Sequence, residues 1–432
     1  MISELLDILK KHPRLHAWNF KIVTNDSYQL FFIKQDLDMN REVSVEEYFV
    51  NIFVKQVEND KEKIGKSSFS IYPSMTMEEV KEKIDEQIEL AKYTLNKPYN
   101  MPKKANIKPV FKEFGFENHS LKEAAFIAAD ALFEADKFNK GYINSAEIFI
   151  NHTETRFFDS NDNVFLYTNA SGKIEFVITW AEKNEEVEIY KFIEFDSLDN
   201  KYIQSQANKA FLEAGNRIKA IKTPNITNAK LLLTGEYVKE YFSHFIEKIK
   251  ADNIYNNLSD LNVGDKISKN KGDFITIRLE PTMKHSTKGA PFDEEGLALK
   301  KLSVIEKGVV KNLWGSNAYS QYLHKIPNGN YKNMVVNSGT LQEEDLEDET
   351  YVEVIALSGF EIDTVTGDFG SEIRLAYLHQ KNKEKIVITG GSVSGNVYDS
   401  IDTVLFSNET EQINNYFGPK KVLLDKVNFN RG

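Results

Sequence analysis

The chain has 432 residues, of which 41% are hydrophobic and 28% are charged, and it contains no cysteine. These values are typical of a globular protein of two or three domains, and they exclude disulfides, thiolate zinc sites and cysteine nucleophiles. The formal net charge is −11, with 65 acidic against 54 basic residues, which disfavours direct nucleic-acid binding because such proteins usually carry a basic surplus.

No window of the sequence approaches the apolar length that a membrane-spanning helix needs. Acidic Glu4 and Asp7 interrupt the apolar stretch at the N-terminus, whereas an export signal has a basic start and an unbroken apolar core. We therefore expect a cytoplasmic protein that has no direct contact with a membrane.

The first predicted unit, residues 1–104, mixes strands and helices. Trp18, Phe20 and Ile22 alternate with polar residues as in a half-buried strand. The next four residues of interest, TNDS at 24–27, have turn chemistry and predict that the chain reverses there.

A capping box marks the start of the main helix in this first unit. Thr76 and Glu79 have the required spacing, and an apolar face at helical spacing follows them. The Pro-, Lys- and Asn-rich stretch 95–109 then has the composition of a linker.

The second predicted unit, residues 105–225, is one helix, a meander of strands and another helix. Its capping box consists of Ser120 and Glu123. The segments SNDN (160–163) and NASGK (169–173) have hairpin-turn composition. This order predicts an α+β unit with an antiparallel sheet instead of alternating βαβ units.

The third predicted unit, residues 226–432, begins with a short strand and a helix and continues mainly as strands and loops. The fold class predicted for the whole chain is therefore α+β, with an N-terminal region of antiparallel sheets and helices and a β-rich C-terminal domain.

The helix at 236–250 decides whether the chain has a metal site of its own. At about 100° per residue, one broad apolar stripe contains Val238, Tyr241, Phe242, Phe245, Ile246 and Ile249. His244 falls outside the stripe with Glu240 and Glu247, which is the usual position of a solvated surface histidine.

The alternative interpretation is that this helix carries a metal site. His244 and Glu247 are three residues apart and would share a helix face. Zinc hydrolysis needs about three protein ligands and an open position for water. The next histidine, His285, would reach this helix only through folding that the sequence does not show. The acidic loop Asp293–Glu295 could separately form a carboxylate cluster for a cation, although such runs are more often solvated.

Several segments resemble the TldD/PmbA (TldE) family, once called modulators of DNA gyrase. They are LYTNASGK (166–173), IYNNLSDLNVGDKI (254–267), the segment 289–323 that begins GAPFDEEG, VTGDFG (365–370) and VITGGSVSGNVYDSI (387–401). Their order and spacing extend the resemblance from about residue 105 to the C-terminus.

The resemblance implies a two-branch peptidase family. Its TldD branch carries His-Glu-x-x-x-His on a helix with a later cysteine and binds zinc, whereas its PmbA branch lacks this set and is the non-catalytic partner. The equivalent stretch here is HFIEKI (244–249), in which Phe245 takes the Glu position and Ile249 takes the second His position. The resemblance thus implies a PmbA-like chain with a degenerate metal site at His244, Phe245 and Ile249 and no catalytic residues or cofactor of its own.

The implied partners are a TldD-like zinc peptidase subunit or a second copy of this chain, together with an extended peptide. Two alternatives remain open: a stand-alone hydrolase that uses His244, Glu247, His285 or the acidic loop, and a homo-oligomeric peptide-binding protein. The segment KADN (250–253) replaces the Gly-rich run that usually follows the helix in PmbA proteins.

Overall fold

The computed structural model describes residues 1–112, 115–116, 118–268 and 271–432. The predicted α+β class is confirmed: long antiparallel strands with four packed helices precede a β-rich C-terminal region. None of the helices in the described ranges combines the length and apolar character needed to cross a lipid bilayer.

The elements of the N-terminal half follow one another with short connections. In chain order they are α1 (Ile2–Lys11), β1 (Ala17–Ile33), β2 (Asp36–Glu58), β3 (Lys61–Ile71), α2 (Met77–Ala91), β4 (Leu95–Asn96), β5 (Val110–Phe111), α3 (Leu121–Phe133), β6 (Gly141–Asp159), β7 (Val164–Glu182), β8 (Glu185–Phe195), α4 (Asn200–Arg217) and β9 (Ile221–Lys222).

The strands β1 to β8 form one sheet in the order β4-β3-β2-β1-β6-β7, with β8 and the short parallel β5 both paired to β7. All four helices pack on one face of this sheet. The side chains of α1 and α2 share a core with one half of β1, and those of α3 and α4 share a core with the other half. Both predicted capping boxes are confirmed at the starts of α2 and α3.

The turns predicted at TNDS and NASGK are wrong, because both segments lie in the middle of long strands. Residues 24–27 pair with β2 and with β6, and residues 169–171 pair with β6. The two polar segments lie on either side of β6, in the band of the sheet between the two halves that the helix pairs cover. Their side chains bond across the strands there: Thr153 Oγ1 donates to Asn25 Oδ1 at 2.9 Å, and Ser44 Oγ donates to Asp26 Oδ1 at 2.6 Å.

The turn predicted at SNDN is confirmed between β6 and β7. The Asp159 carboxylate organises it by accepting the backbone N–H groups of Asn161 and Asn163 at 2.9 and 3.0 Å. An Asx-type bond of this kind is a common way for aspartate to hold a tight turn.

The C-terminal half contains many short strands. In chain order its elements are β10 (Lys230–Thr234), α5 (Glu236–Lys248), α6 (Ala251–Tyr255), β11 (Ile277–Glu280), β12 (Leu302–Glu306), β13 (Val309–Val310), α7 (Asn317–Tyr322), β14 (Asn333–Val336), a 3₁₀ turn (Glu344–Leu346), β15 (Tyr351–Leu357), β16 (Asp368–His379), β17 (Ile386–Thr389), β18 (Ser392–Asn396), α8 (Val397–Ser400), β19 (Leu405–Phe406), β20 (Thr410–Ile413), β21 (Tyr416–Pro419), β22 (Lys421–Leu424) and β23 (Asn428–Asn430).

These strands form two further sheets around one large core. One has the order β19-β22-β10-β15-β16-β17-β9 with β18 and β23 attached, and the other has the order β13-β12-β11-β14-β21-β20. The core contains side chains from both sheets and the apolar stripe of α5, so α5 is held on several sides.

The predicted division of the chain at residues 104/105 and 225/226 stays a prediction. Two connections bear on it. Strands from both sides of the first division share the eight-stranded sheet, and β9, which precedes the second division, pairs in parallel with β17 of the C-terminal half.

Candidate functional site

The helix α5 follows β10 through Gly235, whose backbone has φ +60°. A left-handed conformation at this position favours glycine. The apolar stripe predicted from the sequence is confirmed, since Val238, Tyr241, Phe242 and Phe245 are all buried within α5 and Ile249 is buried directly after it. The helix ends at Lys248, and Ala251 N at the start of α6 donates to Trp314 O at 2.7 Å.

The expected solvent exposure of His244 is wrong, because its side chain is only 3% exposed. Its Nε2 lies 3.1 Å from the hydroxyl oxygen of Tyr398, and its Nδ1 is buried with no hydrogen-bond partner in the described part of the chain. Burial, followed by the charge of Lys248, lowers the pKa of His244 to about 4. The imidazole is therefore neutral near pH 7.

Two segments that carry the family resemblance place Tyr398 against His244. Asn396 Oδ1 caps α8 by accepting the N–H of Tyr398 at 2.9 Å, and its amide donates to Thr366 O and to Asp368 Oδ1. The turn before β16 thus holds α8 in place. No local sequence signal marks Tyr398 as a partner of His244, although it lies inside the segment 387–401 that carries the resemblance.

The side chains of Glu247 and His244 contact different parts of the structure and do not converge on one site. Glu247 Oε2 accepts from Asn253 Nδ2 at 3.1 Å and lies 3.7 Å from Lys250 Nζ, so it interacts with the polypeptide that follows the helix. His285 lies at a different junction, with Nδ1 3.4 Å from Asp196 Oδ1.

The acidic loop is also not the solvated run that its composition predicted. Asp293 is buried, and its carboxylate accepts the N–H groups of Glu295, Leu297 and Asn330 at 2.9–3.0 Å. Glu295 Oε2 accepts the N–H of Asn317 at 2.7 Å, at the start of α7. Two of the three carboxylates therefore hold loops together, and Glu294 alone of the three faces solvent.

Across the described ranges, no three His, Asp or Glu side chains are grouped so that they would hold a metal ion. The positions Phe245 and Ile249 are 2% and 0% exposed. Neither a phenyl ring nor an aliphatic side chain ligates a metal or accepts a proton from water.

A second feature is a cleft between the open face of the N-terminal sheet and the loops of the C-terminal half. It consists of two adjoining cavities of about 470 and 200 Å³ that share Lys21, Phe157, Glu294 and Asn330 among their lining residues. The smaller one is largely apolar, because Phe292 packs against Phe157 there.

Comparison with known proteins adds sequence and fold relatives. The family model described as the PmbA/TldA metallopeptidase C-terminal domain matches residues 227–431. A curated protein of Buchnera aphidicola, named a metalloprotease PmbA homolog, is 24% identical over 319 residues, which are 70% of this chain and 68% of that protein.

Two crystal structures resemble the chain over its whole length. A protein of Thermotoga maritima described as a modulator of a DNA gyrase has a TM-score of 0.78 and 17% identity, covering 100% of this chain and 99% of its own. TldE of Thermococcus kodakarensis has a TM-score of 0.76 and 16% identity with the same coverage. At these identities the likeness demonstrates a shared fold.

The C-terminal half is thus a domain of a metallopeptidase-related class, carried on a fold that solved relatives share from end to end. The family model, the PmbA homolog and the solved neighbours together support the TldD/PmbA family.

Proposed function

We propose that this chain is a PmbA/TldE-like, non-catalytic subunit of a TldD/TldE-type metallopeptidase complex that processes peptides in the cytoplasm. The observation that carries the proposal is the state of α5. Phe245 and Ile249 stand where the resembling TldD branch has Glu and His, and both side chains are buried in the C-terminal core.

Two of the comparisons favour the same branch. One relative is named a PmbA homolog and one solved neighbour is named TldE. The neighbour named TldE is similar in fold over the whole chain.

The proposed mechanism is indirect. A TldD-like partner would hold the zinc and would supply the hydrolytic chemistry, while this chain helps to close the space between the two subunits and supports an extended peptide. A sheet edge can hold an extended peptide through backbone hydrogen bonds, and among the described strands β8 and β20 are terminal in their sheets.

A peptidase assay on this chain alone, on a TldD-type protein alone and on their mixture tests the proposal. We expect hydrolysis only with the partner present, an increase on mixing, and loss of activity with a chelator. The variant His244→Gln, checked for folding by circular dichroism, should leave the activity of the mixture unchanged.

Hydrolysis by this chain alone that disappears in His244→Gln would instead establish a stand-alone hydrolase. If none of the three samples hydrolyses peptide and this chain forms a stable homo-oligomer that binds peptide, the homo-oligomeric binding protein would be favoured.

A further inference from the structure

The cleft between the N-terminal sheet and the loops of the C-terminal half contains both lysines and carboxylates. Three lysines line its two cavities: Lys21, Lys66 and Lys332. Within the described part of the chain, none of these ammonium groups lies within 4.0 Å of a carboxylate. Lys21 Nζ lies 5.0 Å above the ring of Phe49, and Lys66 Nζ lies 5.8 Å above the ring of Phe53.

Three carboxylates, those of Asp293, Glu294 and Glu295, line the same cavities. The buried carboxylate of Asp293 is bound to three backbone N–H groups, and burial raises its pKa to about 6. The carboxylate of Glu295 is bound to the start of α7. Glu295 also interacts electrostatically with Lys66, and Glu294 is exposed. Lys21, at the junction of the two cavities, remains available to bind an anion.

The floor of the larger cavity supplies hydrogen-bond donors beside Lys21. Ser68 Oγ donates to Asn51 Oδ1 at 2.6 Å, and Asn51 Nδ2 donates to Asn19 Oδ1 at 2.7 Å. With the side-chain amides of Asn19 and Asn51 in these orientations, the NH₂ group of Asn19 remains available as a donor. Asn19 is two residues from Lys21 on β1, so both side chains point to the same face of the sheet.

The smaller cavity supplies apolar surface next to the same lysine. Its walls include Phe157, Tyr167, Phe292 and Leu299, and Lys21 stands at the junction with the larger cavity. A volume of about 200 Å³ accommodates one large apolar side chain. Ligand sites typically combine such an apolar wall with a few converging polar groups.

We propose that this cleft binds the free carboxyl terminus of a peptide whose last side chain is apolar. The carboxylate lies at Lys21 and the Asn19 amide, the last side chain enters the smaller cavity, and the peptide leads out through the larger one. The choice of a peptide as the ligand rests on the proposed function, whereas the pairing of an anion with an apolar group rests on Lys21, Asn19 and the walls of the smaller cavity.

Fluorescence anisotropy on the isolated full-length chain tests this site. The probes are N-terminally labelled Ala-Ala-Ala-Leu with a free carboxyl terminus, the same peptide as the amide, and Ala-Ala-Ala-Gly with a free carboxyl terminus. We expect the free acid ending in leucine to bind at least tenfold more tightly than either of the others, because each lacks one of the two recognised groups.

Two variants separate the two halves of the site. Lys21→Met keeps an unbranched apolar stem over Phe49 and should weaken the leucine acid at least tenfold. Ala290→Leu narrows the smaller cavity and should weaken the leucine peptide while leaving the glycine peptide unchanged. Lys385→Met is the matched control, because Lys385 also lies over a ring, that of Tyr377 at 4.1 Å, but outside the cleft.

Equal binding of the acid and the amide, or unchanged binding in Lys21→Met and Ala290→Leu, would overturn the proposal, as would absence of binding at millimolar peptide. The outcome is separable from that of the peptidase assay. Binding without activity in the mixture keeps this site and rejects the subunit role, and activity without binding rejects this site alone.

Discussion

Replacing Phe245 by glutamate restores the residue type that the zinc-binding branch has there, and we expect it to destabilise the protein severely. Phe245 is 2% exposed, and its ring centroid lies 5.3 Å from those of Tyr241 and of His244. Loss of a buried phenyl ring costs about 3–5 kcal/mol. A glutamate kept protonated in the core at pH 7 adds about 3.7 kcal/mol, from an unperturbed pKa of ~4.3 and ~1.36 kcal/mol per pKa unit.

The total penalty of about 7–9 kcal/mol is comparable with the whole unfolding free energy of a typical domain, about 5–15 kcal/mol. Urea unfolding of Phe245→Glu and of Phe245→Gln, at pH 7 and near pH 4, measures the two parts separately. The glutamine variant has the same shape without the ionisation, so it carries only the packing part.

The sign of the pH effect follows from the pKa of the new glutamate. Burial raises its pKa in the folded state above the unfolded value, so its penalty is absent below about pH 4.3 and grows as the pH rises. The two variants should therefore have similar stability near pH 4, and the glutamate variant should be the less stable one at pH 7. An equal stability difference at both pH values, or wild-type stability of Phe245→Glu at pH 7, would refute the packing argument.

Three further predictions concern single contacts. Tyr398→Phe removes the hydroxyl beside His244 Nε2 and should lower the free energy of unfolding in urea by about 1–3 kcal/mol, because both ring nitrogens are then buried without a partner. An unchanged free energy of unfolding would mean that water reaches the ring. The pKa of His244 is lowered to about 4. The free energy of unfolding of the wild type should therefore fall by up to about 3 kcal/mol relative to that of His244→Gln as the pH decreases from about 6.5 to about 4. Parallel profiles of stability against pH for the two proteins would contradict this prediction. Lys112→Met leaves the buried Asp196 without the ammonium 3.3 Å away and should cost about 3–5 kcal/mol, whereas Lys11→Met, which breaks an exposed pair with Asp7, should cost less than about 1 kcal/mol.

The sequence predicted the elements whose signals are local. The capping boxes at Thr76 and Ser120 begin helices because the bonds they form lie within one turn. The apolar stripe of α5 was also predictable, since it repeats at the helical period.

The failures at TNDS and NASGK have a tertiary cause. Asn, Asp, Ser and Gly favour turns where no neighbouring strand pairs with the segment. Here β6 lies between the two segments and pairs with each of them. The polar side chains are tolerated because they occupy the band between the two helix pairs. The composition of a short sequence segment does not show which part of a sheet the helices cover.

The burial of His244 was missed for a related reason. A helical projection places His244 beside two glutamates on the polar side, but α8 covers that side of α5 through Tyr398, which is 154 residues away in sequence. Likewise the acidic loop is buried because its carboxylates bond to backbone groups as distant as Asn330. Only the folded chain brings these partners together.

The zinc content of the purified, chelator-free protein, measured by atomic emission, tests the central claim most directly. If the helix face of Phe245 and Ile249 is packing surface in a non-catalytic subunit, the protein should contain essentially no zinc per chain, and His244→Ala should not change that value. Close to one zinc per chain that is lost in His244→Ala would contradict the account, because α5 would then belong to a working metal site.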